Sequence, residues 1–203
     1  MTSAAVYLIR HAQSRPSSRI AEPKWPLSVV GSQQAERLAR LLEPLRIARL
    51  YSSPYVRCLN TIQPFASRVG LDIVVKDDLR ERNLANGVRI DFQEVWDRSW
   101  ADFAFALPEC ESSFQAQNRF VRAVREITQD RSGPIGICGH GNVMALLLNH
   151  LEPTYGREDA DRLRNPDVVK LVVEEAGLRW DSEFNLPGLD DVATHARETP
   201  VDW

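Results

Sequence analysis

The fold is decided by a stretch near the start of the chain, Val6-Tyr7-Leu8-Ile9-Arg10-His11-Ala12-Gln13-Ser14. Four consecutive apolar residues end abruptly in an arginine and a histidine. An uninterrupted short apolar run is typical of a strand that is buried on both faces, which in soluble proteins means a parallel sheet covered by helices. Open sheets of this kind bind ligands at the carboxyl ends of their strands. The stretch therefore predicts a buried strand that delivers Arg10 and His11 to a ligand site.

Further short apolar runs follow at residues 48–51, 72–75 and 135–138, and longer segments of helical period separate them. This alternation favours parallel strands joined by crossover helices. We therefore predict an α/β fold, a three-layer α/β/α sandwich with a mostly parallel central sheet. A fifth run, residues 168–174, follows a helix and predicts either an antiparallel edge strand or the last strand of the sheet.

Several helix boundaries are readable from local signals. Ser28 is a typical N-cap before a segment whose apolar residues fall on one helical face. Ser53 followed by Pro54 predicts an N-cap with proline as the first helical residue, and Gly70 predicts the end of that helix. Gly141 opens another apolar helix directly after the fourth strand.

Composition excludes several classes of protein. The 203 residues include 25 Lys plus Arg and 28 Asp plus Glu, which gives a net charge of −3. The two signs alternate along the chain, so there is no basic stripe for nucleic acid. No apolar run approaches the roughly 20 residues of a membrane span. A strand that begins at residue 6 leaves no room for a signal peptide before it, so we expect a cytoplasmic protein.

Three cysteines, Cys58, Cys110 and Cys138, stand far apart and form no CxxC pair. Their spacing predicts neither a disulfide framework nor a zinc site, and we interpret Cys58 and Cys138 as small packing residues. We expect neither a metal nor another cofactor.

The domain organisation is predicted to be a single domain over residues 1–203. A segment at about residues 77–111 breaks the pattern and carries the aromatic residues Phe92, Trp96, Trp100 and Phe103 at helical spacing. The stripe indicates either a helix packed on the core or a small cap over the site. The tail, about residues 181–203, has no clear period and predicts a surface wrap, a dimer arm or disorder. A dimer arm would imply a homodimer, and the sequence leaves this possibility open.

The strongest polar candidates all follow strands. Arg10 and His11 follow the first, His140 follows the fourth, and a helix carrying Arg57 follows the second. Two guanidinium groups brought together demand an anion between them, and their planar forks match the oxygens of a phosphoryl group. A helix that begins near Gly141 would add free N–H groups on the same side. An imidazole among such cations has a lowered pKa and stays neutral and nucleophilic at pH 7.

These blocks together resemble the histidine phosphatase superfamily, which includes cofactor-dependent phosphoglycerate mutases and many small-molecule phosphatases. The resemblance covers roughly residues 5–150. The residues that carry it are Arg10, His11, Gln13 and Ser14; Pro26, Leu27, Ser28, Gly31, Gln34 and Ala35; Ser52, Ser53, Pro54, Arg57, Cys58 and Thr61; Leu79, Arg80 and Glu81; Glu111 and Ser112; and His140 and Gly141.

The resemblance implies a role for each matching position. His11 would be the nucleophile that forms a phosphohistidine, and Glu81 would protonate the leaving oxygen, with Glu111 and Asp78 as substitutes. The phosphoryl oxygens would be held mainly by Arg10, Arg57 and His140. The full set of expected catalytic residues is His11, Glu81, His140, Arg10 and Arg57, and that of substrate-binding residues is Arg10, Ser14, Arg57, His140 and Gly141.

The implied activity is hydrolysis of a small-molecule phosphomonoester by a histidine acid phosphatase-like phosphomonoesterase. Mutase activity is the first alternative, although family mutases carry a longer inserted segment that this compact chain does not show. A catalytically weak member that binds a phosphorylated ligand or a protein is the second alternative. It rests on Ala12, which stands where the family has glycine and could disturb His11. Residues 82–87 match neither the mutase pattern nor the common phosphatase pattern, which leaves the substrate open.

Overall fold

The structure, a computed structural model, describes residues 4–85 and 90–195. Its centre is a six-stranded sheet with the strand order β3-β2-β4-β1-β6-β7. These strands are β1 (Ala4–Arg10), β2 (Arg49–Ser52), β3 (Ile73–Val75), β4 (Ile135–Gly139), β6 (Asp167–Glu174) and β7 (Gly177–Asp181). A separate two-stranded sheet pairs β5 (Arg164–Asn165) with β8 (Thr194–His195).

Helices cover both faces of the central sheet. They are α1 (Val29–Leu42), α2 (Val56–Val69), α3 (Phe92–Ala101), α4 (Ser113–Ile127), α5 (Gly141–Leu151) and α6 (Arg157–Ala160). One buried cluster lies between the sheet and α1 and α2, and another lies between the sheet and α4 and α5. Alternate residues of β1 enter opposite clusters, Leu8 with α4 and α5 and Ile9 with α1 and α2. This is why the strand reads as one apolar run.

The predicted α/β fold with a mostly parallel sheet is confirmed. Strand β4 pairs in parallel with both β1 and β2, and β2 pairs in parallel with β3. The fifth apolar run forms β6, which lies antiparallel between β1 and β7. It is therefore an interior strand and not an edge.

The predicted start of α2 is wrong by two residues. The helix begins at Val56, with Tyr55 as its N-cap residue, and not at Pro54. No side chain among the described residues caps the N-terminus of α2. The Ser53 hydroxyl instead accepts the N–H of Tyr55 over 3.3 Å and shares a 2.7 Å hydrogen bond with Nε2 of His140. The other end is confirmed, since Gly70 terminates the helix in the left-handed conformation that glycine favours.

The predicted cap segment and the tail both pack against the rest of the protein. Trp96 is buried in the α4 and α5 cluster, and Trp100 and Phe103 pack against that cluster, so most of the aromatic stripe is core packing. Phe92, at the start of α3, is 50% exposed. After residue 181, buried Leu186 and Leu189 wrap the chain over α1 and α2. Residues 86–89 of the predicted cap segment and residues 196–203 of the tail lie outside the described residues.

Within those described ranges, no helix has both the length and the apolar character needed to cross a membrane.

Candidate active site

Two histidine side chains meet at the carboxyl edge of the sheet. The register pairs Arg10 of β1 with Gly139 of β4, so the next residue of each strand, His11 and His140, leaves the sheet at the same place. The ring centroids lie 5.3 Å apart in an edge-to-face arrangement. His11 is 5% exposed and His140 is fully buried. Parallel strand pairing thus brings together two imidazoles that are 129 positions apart in the chain.

The hydrogen bonds of His11 define its tautomer. Nδ1 lies 2.7 Å from the carbonyl oxygen of Ala12, which can only accept, so Nδ1 carries the proton and donates. The Nε–H group of Arg57 donates to Nε2 of His11 over 3.2 Å. Nε2 therefore carries the lone pair, and this atom faces the buried guanidinium.

Arg57, on the first turn of α2, is held from several sides. Its guanidinium lies 4.8 Å from the centre of the Tyr55 ring and 5.9 Å from that of Trp25, both cation–π distances. Its Nη2 also donates to the carboxylate of Glu22 over 2.8 Å. Glu22, a lone acid in an irregular segment, gave no sequence signal.

Arg10 is placed by backbone groups. Its Nη1 donates to the carbonyl oxygen of Leu163 over 2.7 Å. A Cβ added to Gly141 would lie 2.8 Å from Cζ and Nε of Arg10, closer than atoms can approach. Because Gly141 has no side chain, the guanidinium of Arg10 can rest against the first turn of α5. The expected contact of Gly141 with the substrate stays a prediction.

His140 is enclosed by two side chains of the β2–α2 connection, Ser53 and Tyr55, and by Cys58 on the first turn of α2. Besides the bond to Ser53, its Nε2 lies 3.4 Å from Sγ of Cys58, and its ring meets Tyr55 edge-to-face at 4.9 Å. Cys58 is thus part of the wall of the site as well as of the core.

The environment keeps both imidazoles uncharged. Burial, followed by the positive charges of Arg57 and Arg10, holds the pKa of His11 well below its ordinary value. Burial and then Arg57 lower the pKa of His140 in the same way. Near neutral pH the site therefore has two permanent cations, Arg10 and Arg57, and a neutral His11 whose unprotonated Nε2 accepts a hydrogen bond from Arg57.

Glu81 lies against the start of α5. Its carboxylate accepts the backbone N–H groups of Asn142 and Val143 at 3.1 Å each, and that of Arg82 at 2.9 Å. The expectation that α5 offers free N–H groups is therefore wrong for these two residues. Burial raises the pKa of Glu81 even though the backbone N–H groups favour its charged form.

The two substitutes considered for Glu81 are occupied by arginines. The Glu111 carboxylate binds Arg119 through both oxygens at 2.8 Å. Burial opposes the ionisation of Glu111, but the bonds and charge of Arg119 outweigh it and its pKa is lowered. Asp78 pairs with Arg80 and Arg122. Both carboxylates are thus suited to hold loops in place rather than to carry a proton.

The loop after His11 is fixed by Asn165, which sequence reasoning missed, and by Gln34, which belongs to the sequence blocks of the resemblance but was given no role there. The Asn165 side chain donates to the carbonyl oxygen of His11 over 2.7 Å. Gln34 accepts the N–H of Gln13 and donates to the carbonyl oxygens of Asn165 and Val192. This network ties the His11 loop to α1 and to the C-terminal segment. No local pattern indicates it, because its members are far apart in the chain.

Two further residues of that loop were singled out from the sequence. Ala12 is not among the residues with positive φ and donates its N–H to Thr61 over 2.9 Å, so its Cβ imposes no left-handed strain. Ser14 is partly buried and forms an isolated bridge with Leu27. Among the described contacts, none joins its hydroxyl to the two histidines or to Arg10 and Arg57, and its role in substrate binding stays a prediction.

Comparison with known families identifies the class of protein. The model of the histidine phosphatase superfamily (branch 1) matches residues 6–185. The chain therefore belongs to this superfamily, and the resemblance inferred from its sequence blocks is confirmed.

Similar sequences include proteins named probable phosphoglycerate mutase GpmB. The protein from Shigella dysenteriae is 29% identical over 215 residues, which cover 92% of this chain and 98% of the relative. Its counterpart from Escherichia coli is 30% identical over 217 residues, with the same coverage.

Similar solved structures include both phosphatases and a mutase. Mycobacterial glucosyl-3-phosphoglycerate phosphatase superposes with a TM-score of 0.71 at 20% identity, covering 88% of this chain and 96% of that one. A variant of phosphoserine phosphatase from Entamoeba histolytica gives 0.74 at 16% identity, covering 88% and 95%. Phosphoglycerate mutase from Bacillus anthracis gives 0.71 at 17% identity, covering 88% and 92%. At these identities the likeness establishes the fold.

The two buried histidines predict a loss of stability in acid. Both histidines have a lowered pKa in the folded state. In the unfolded chain their pKa is about 6.5, so below that pH the unfolded chain binds more protons than the folded protein. The free energy of unfolding therefore falls as the pH falls. Between pH 7.5 and pH 5.5 we expect the unfolding free energy to fall by up to about 1.4 kcal/mol for each of them, the limit reached when the folded protein binds no proton at either ring.

Urea denaturation of the wild type and of His11→Asn at both pH values measures this loss. Between the two pH values, the unfolding free energy of the variant should fall less than that of the wild type, and the difference should equal the contribution of one histidine. His150→Asn, which alters an exposed histidine at the end of α5, is the matched control. Burial and then Arg125 also lower the pKa of His150, but less than the pKa of His11 is lowered, so this variant should recover a smaller part of the loss than His11→Asn. Equal losses in the wild type and His11→Asn would contradict the burial of a neutral His11.

Proposed function

We propose that this protein hydrolyses a small-molecule phosphomonoester through a phosphohistidine on His11. The observation that supports the proposal best is the unprotonated Nε2 of His11, which faces the buried guanidinium of Arg57 at 3.2 Å. A neutral imidazole beside fixed cations is a nucleophile placed next to an anion-binding group.

In the first step, Nε2 of His11 attacks phosphorus and the bond from phosphorus to the ester oxygen breaks. Arg10 and Arg57 bind the phosphoryl oxygens, and His140 donates a further hydrogen bond to them. These groups supply positive charge where the transition state concentrates negative charge, and their enclosed position strengthens that effect. The departing oxygen takes its proton from Glu81.

In the second step, water attacks the phosphohistidine and the bond from phosphorus to nitrogen breaks. Glu81, now ionised, accepts the proton of that water and returns to its starting state. Burial that raises the pKa of Glu81 favours the acid form required first. The backbone N–H groups of Asn142 and Val143 stabilise the carboxylate required second. Inorganic phosphate then leaves.

The proposed substrate class is a small phosphomonoester, and mutase-type transfer is the second candidate. Structural neighbours include phosphatases of glucosyl-3-phosphoglycerate and phosphoserine. The second candidate is favoured by relatives about 30% identical that are named probable phosphoglycerate mutase. The two activities differ in one property, which is whether the phosphorylated enzyme reacts with water before product exchanges.

A cytoplasmic location is part of the same proposal. Cys58, Cys110 and Cys138 are all free thiols, as is usual in reducing compartments.

Phosphate bound to His11 is the direct test of the mechanism. The protein is mixed with p-nitrophenyl phosphate, quenched in alkali and examined by intact mass, while released phosphate is measured. We expect an acid-labile phosphate on the wild type together with steady release. His11→Ala should lose both, because it removes the nitrogen that is proposed to attack phosphorus, and His150→Ala should keep both.

The remaining outcomes distinguish the alternatives. A long-lived label with little phosphate release, together with isomerisation of 3-phosphoglycerate, would assign a mutase. No label and no release would assign a binding protein. Full activity in His11→Ala would contradict the mechanism for either enzyme.

Glu81→Gln tests the proton donor. We expect the rate constant of phosphorylation by an alkyl phosphate to fall by about 10²–10⁴-fold, the usual contribution of a general acid. Phosphorylation by p-nitrophenyl phosphate should fall much less, because nitrophenolate leaves without a proton. Rapid-mixing kinetics with the two substrates measures the difference. Glu126→Gln, an exposed glutamate on α4, is the control. Equal losses with both substrates would show that Glu81 is not the acid.

A further inference from the structure

A carboxylate already lies on one of the two arginines of the anion site. Glu22 belongs to a short 3₁₀ turn, Glu22–Lys24, in the connection between β1 and α1. Its Oε1 accepts a hydrogen bond from Nη2 of Arg57 over 2.8 Å, and its backbone carbonyl oxygen accepts one from Nη1 over 3.1 Å. The proposed reaction does not use this contact.

The contact uses the edge of Arg57 that the reaction needs. Nε and Nη2 form one edge of a guanidinium, the one that binds two oxygens of a phosphoryl group side by side. Here Nε donates to Nε2 of His11, while Nη2 donates to Glu22. A phosphoryl group on Nε2 of His11 would meet that same edge. Its oxygen and the Glu22 carboxylate therefore compete for one donor.

The turn that carries Glu22 is fixed against Arg57. The indole N–H of Trp25 donates to the carbonyl oxygens of Ser17 and Ile20, at 3.0 and 3.1 Å. The ring of Trp25 lies beside the Arg57 guanidinium. By contrast, the Glu22 side chain is 41% exposed while that of Arg57 is 4% exposed. The carboxylate can therefore turn into solvent without unfolding the turn, whereas Arg57 cannot move away.

We propose that Glu22 is a positioning residue that acts through Arg57, as a built-in competitor of the phosphoryl group. In the empty site it neutralises Arg57. When the phosphoryl group binds, a phosphoryl oxygen replaces the carboxylate on Nη2, and Glu22 turns to solvent. When phosphate leaves, Glu22 returns and hinders rebinding of the product. The inference rests on the proposed function, which it extends to the release of inorganic phosphate.

The proposal predicts a sign that a merely structural role reverses. If Glu22 competes, its removal strengthens phosphate binding and lowers KM. If Glu22 only holds Arg57 in place, its removal weakens phosphate binding and raises KM. A half-exposed ion pair is worth up to about 1 kcal/mol, which corresponds to about fivefold in a dissociation constant.

Titration calorimetry with inorganic phosphate tests the proposal without requiring turnover. We expect Glu22→Gln to bind phosphate about fivefold more tightly than the wild type. Glu43→Gln is the matched control, because it also removes one negative charge from a glutamate that is 41% exposed and paired with an arginine, Arg68. It should leave the affinity unchanged. If the protein proves to be a binder without hydrolysis, this experiment keeps its meaning.

Glu22→Asp separates the contact from the charge. Aspartate keeps the charge but is one methylene too short to keep the bond to Nη2, so we expect part of the gain in affinity. No gain in Glu22→Asp beside a full gain in Glu22→Gln would assign the effect to the general field and overturn the proposal. Unchanged or weaker phosphate binding in Glu22→Gln would overturn it as well.

In active enzyme, KM for p-nitrophenyl phosphate and the inhibition constant of phosphate should fall together in Glu22→Gln, without an increase in kcat.

Discussion

The site depends on the burial of a neutral imidazole against a permanent cation. Arg57 cannot lose its proton, and His11 cannot gain one without placing two positive charges 3.2 Å apart in a buried place. Nε2 is therefore kept unprotonated by the same charge that would attract an anion. The proposed nucleophile, His11, and the proposed anion-binding group, Arg57, are in this way a single electrostatic arrangement. The hydrogen bond from Nδ1 to Ala12 only has to orient the ring.

The fold supplies that arrangement by placing strand ends side by side. Strands β1 and β4 run parallel and in register, so His11 and His140 leave the sheet together, and β2 delivers Ser53 beside them. Residues that have no role in the proposed reaction hold the loop after His11 in place. Asn165 holds the carbonyl of His11, and Gln34 links that loop to α1 and to the C-terminal segment. Wrapping of the chain after β7 over α1 and α2 is thus part of how His11 is positioned.

The residues that could be predicted from the sequence share one property, which is a local signal. The apolar run before Arg10, the capping residue Ser28 and the terminating Gly70 each act within a few positions, and the structure has all three features. Ser53 shows the limit of such signals, because a serine before proline reads as a helix cap while its hydroxyl is bound to a histidine 87 residues away. Glu22 and Asn165 lie beyond that limit, as do the contacts of Gln34, although Gln34 itself belongs to a recognised sequence block. Their partners are chosen by tertiary packing, and a glutamate in an irregular loop reads as a solvated charge until Arg57 is found beside it.

The central claim is that His11, His140, Arg10 and Arg57 enclose one phosphoryl-sized anion with Nε2 of His11 directed at its centre. A crystal structure of the protein with orthovanadate, which adopts the geometry of phosphoryl transfer, tests this most directly. The account predicts vanadium bonded to Nε2 of His11, with its oxygens on both guanidinium groups and on His140. Vanadate bound elsewhere, or bonded to Nδ1 of His11, would contradict it.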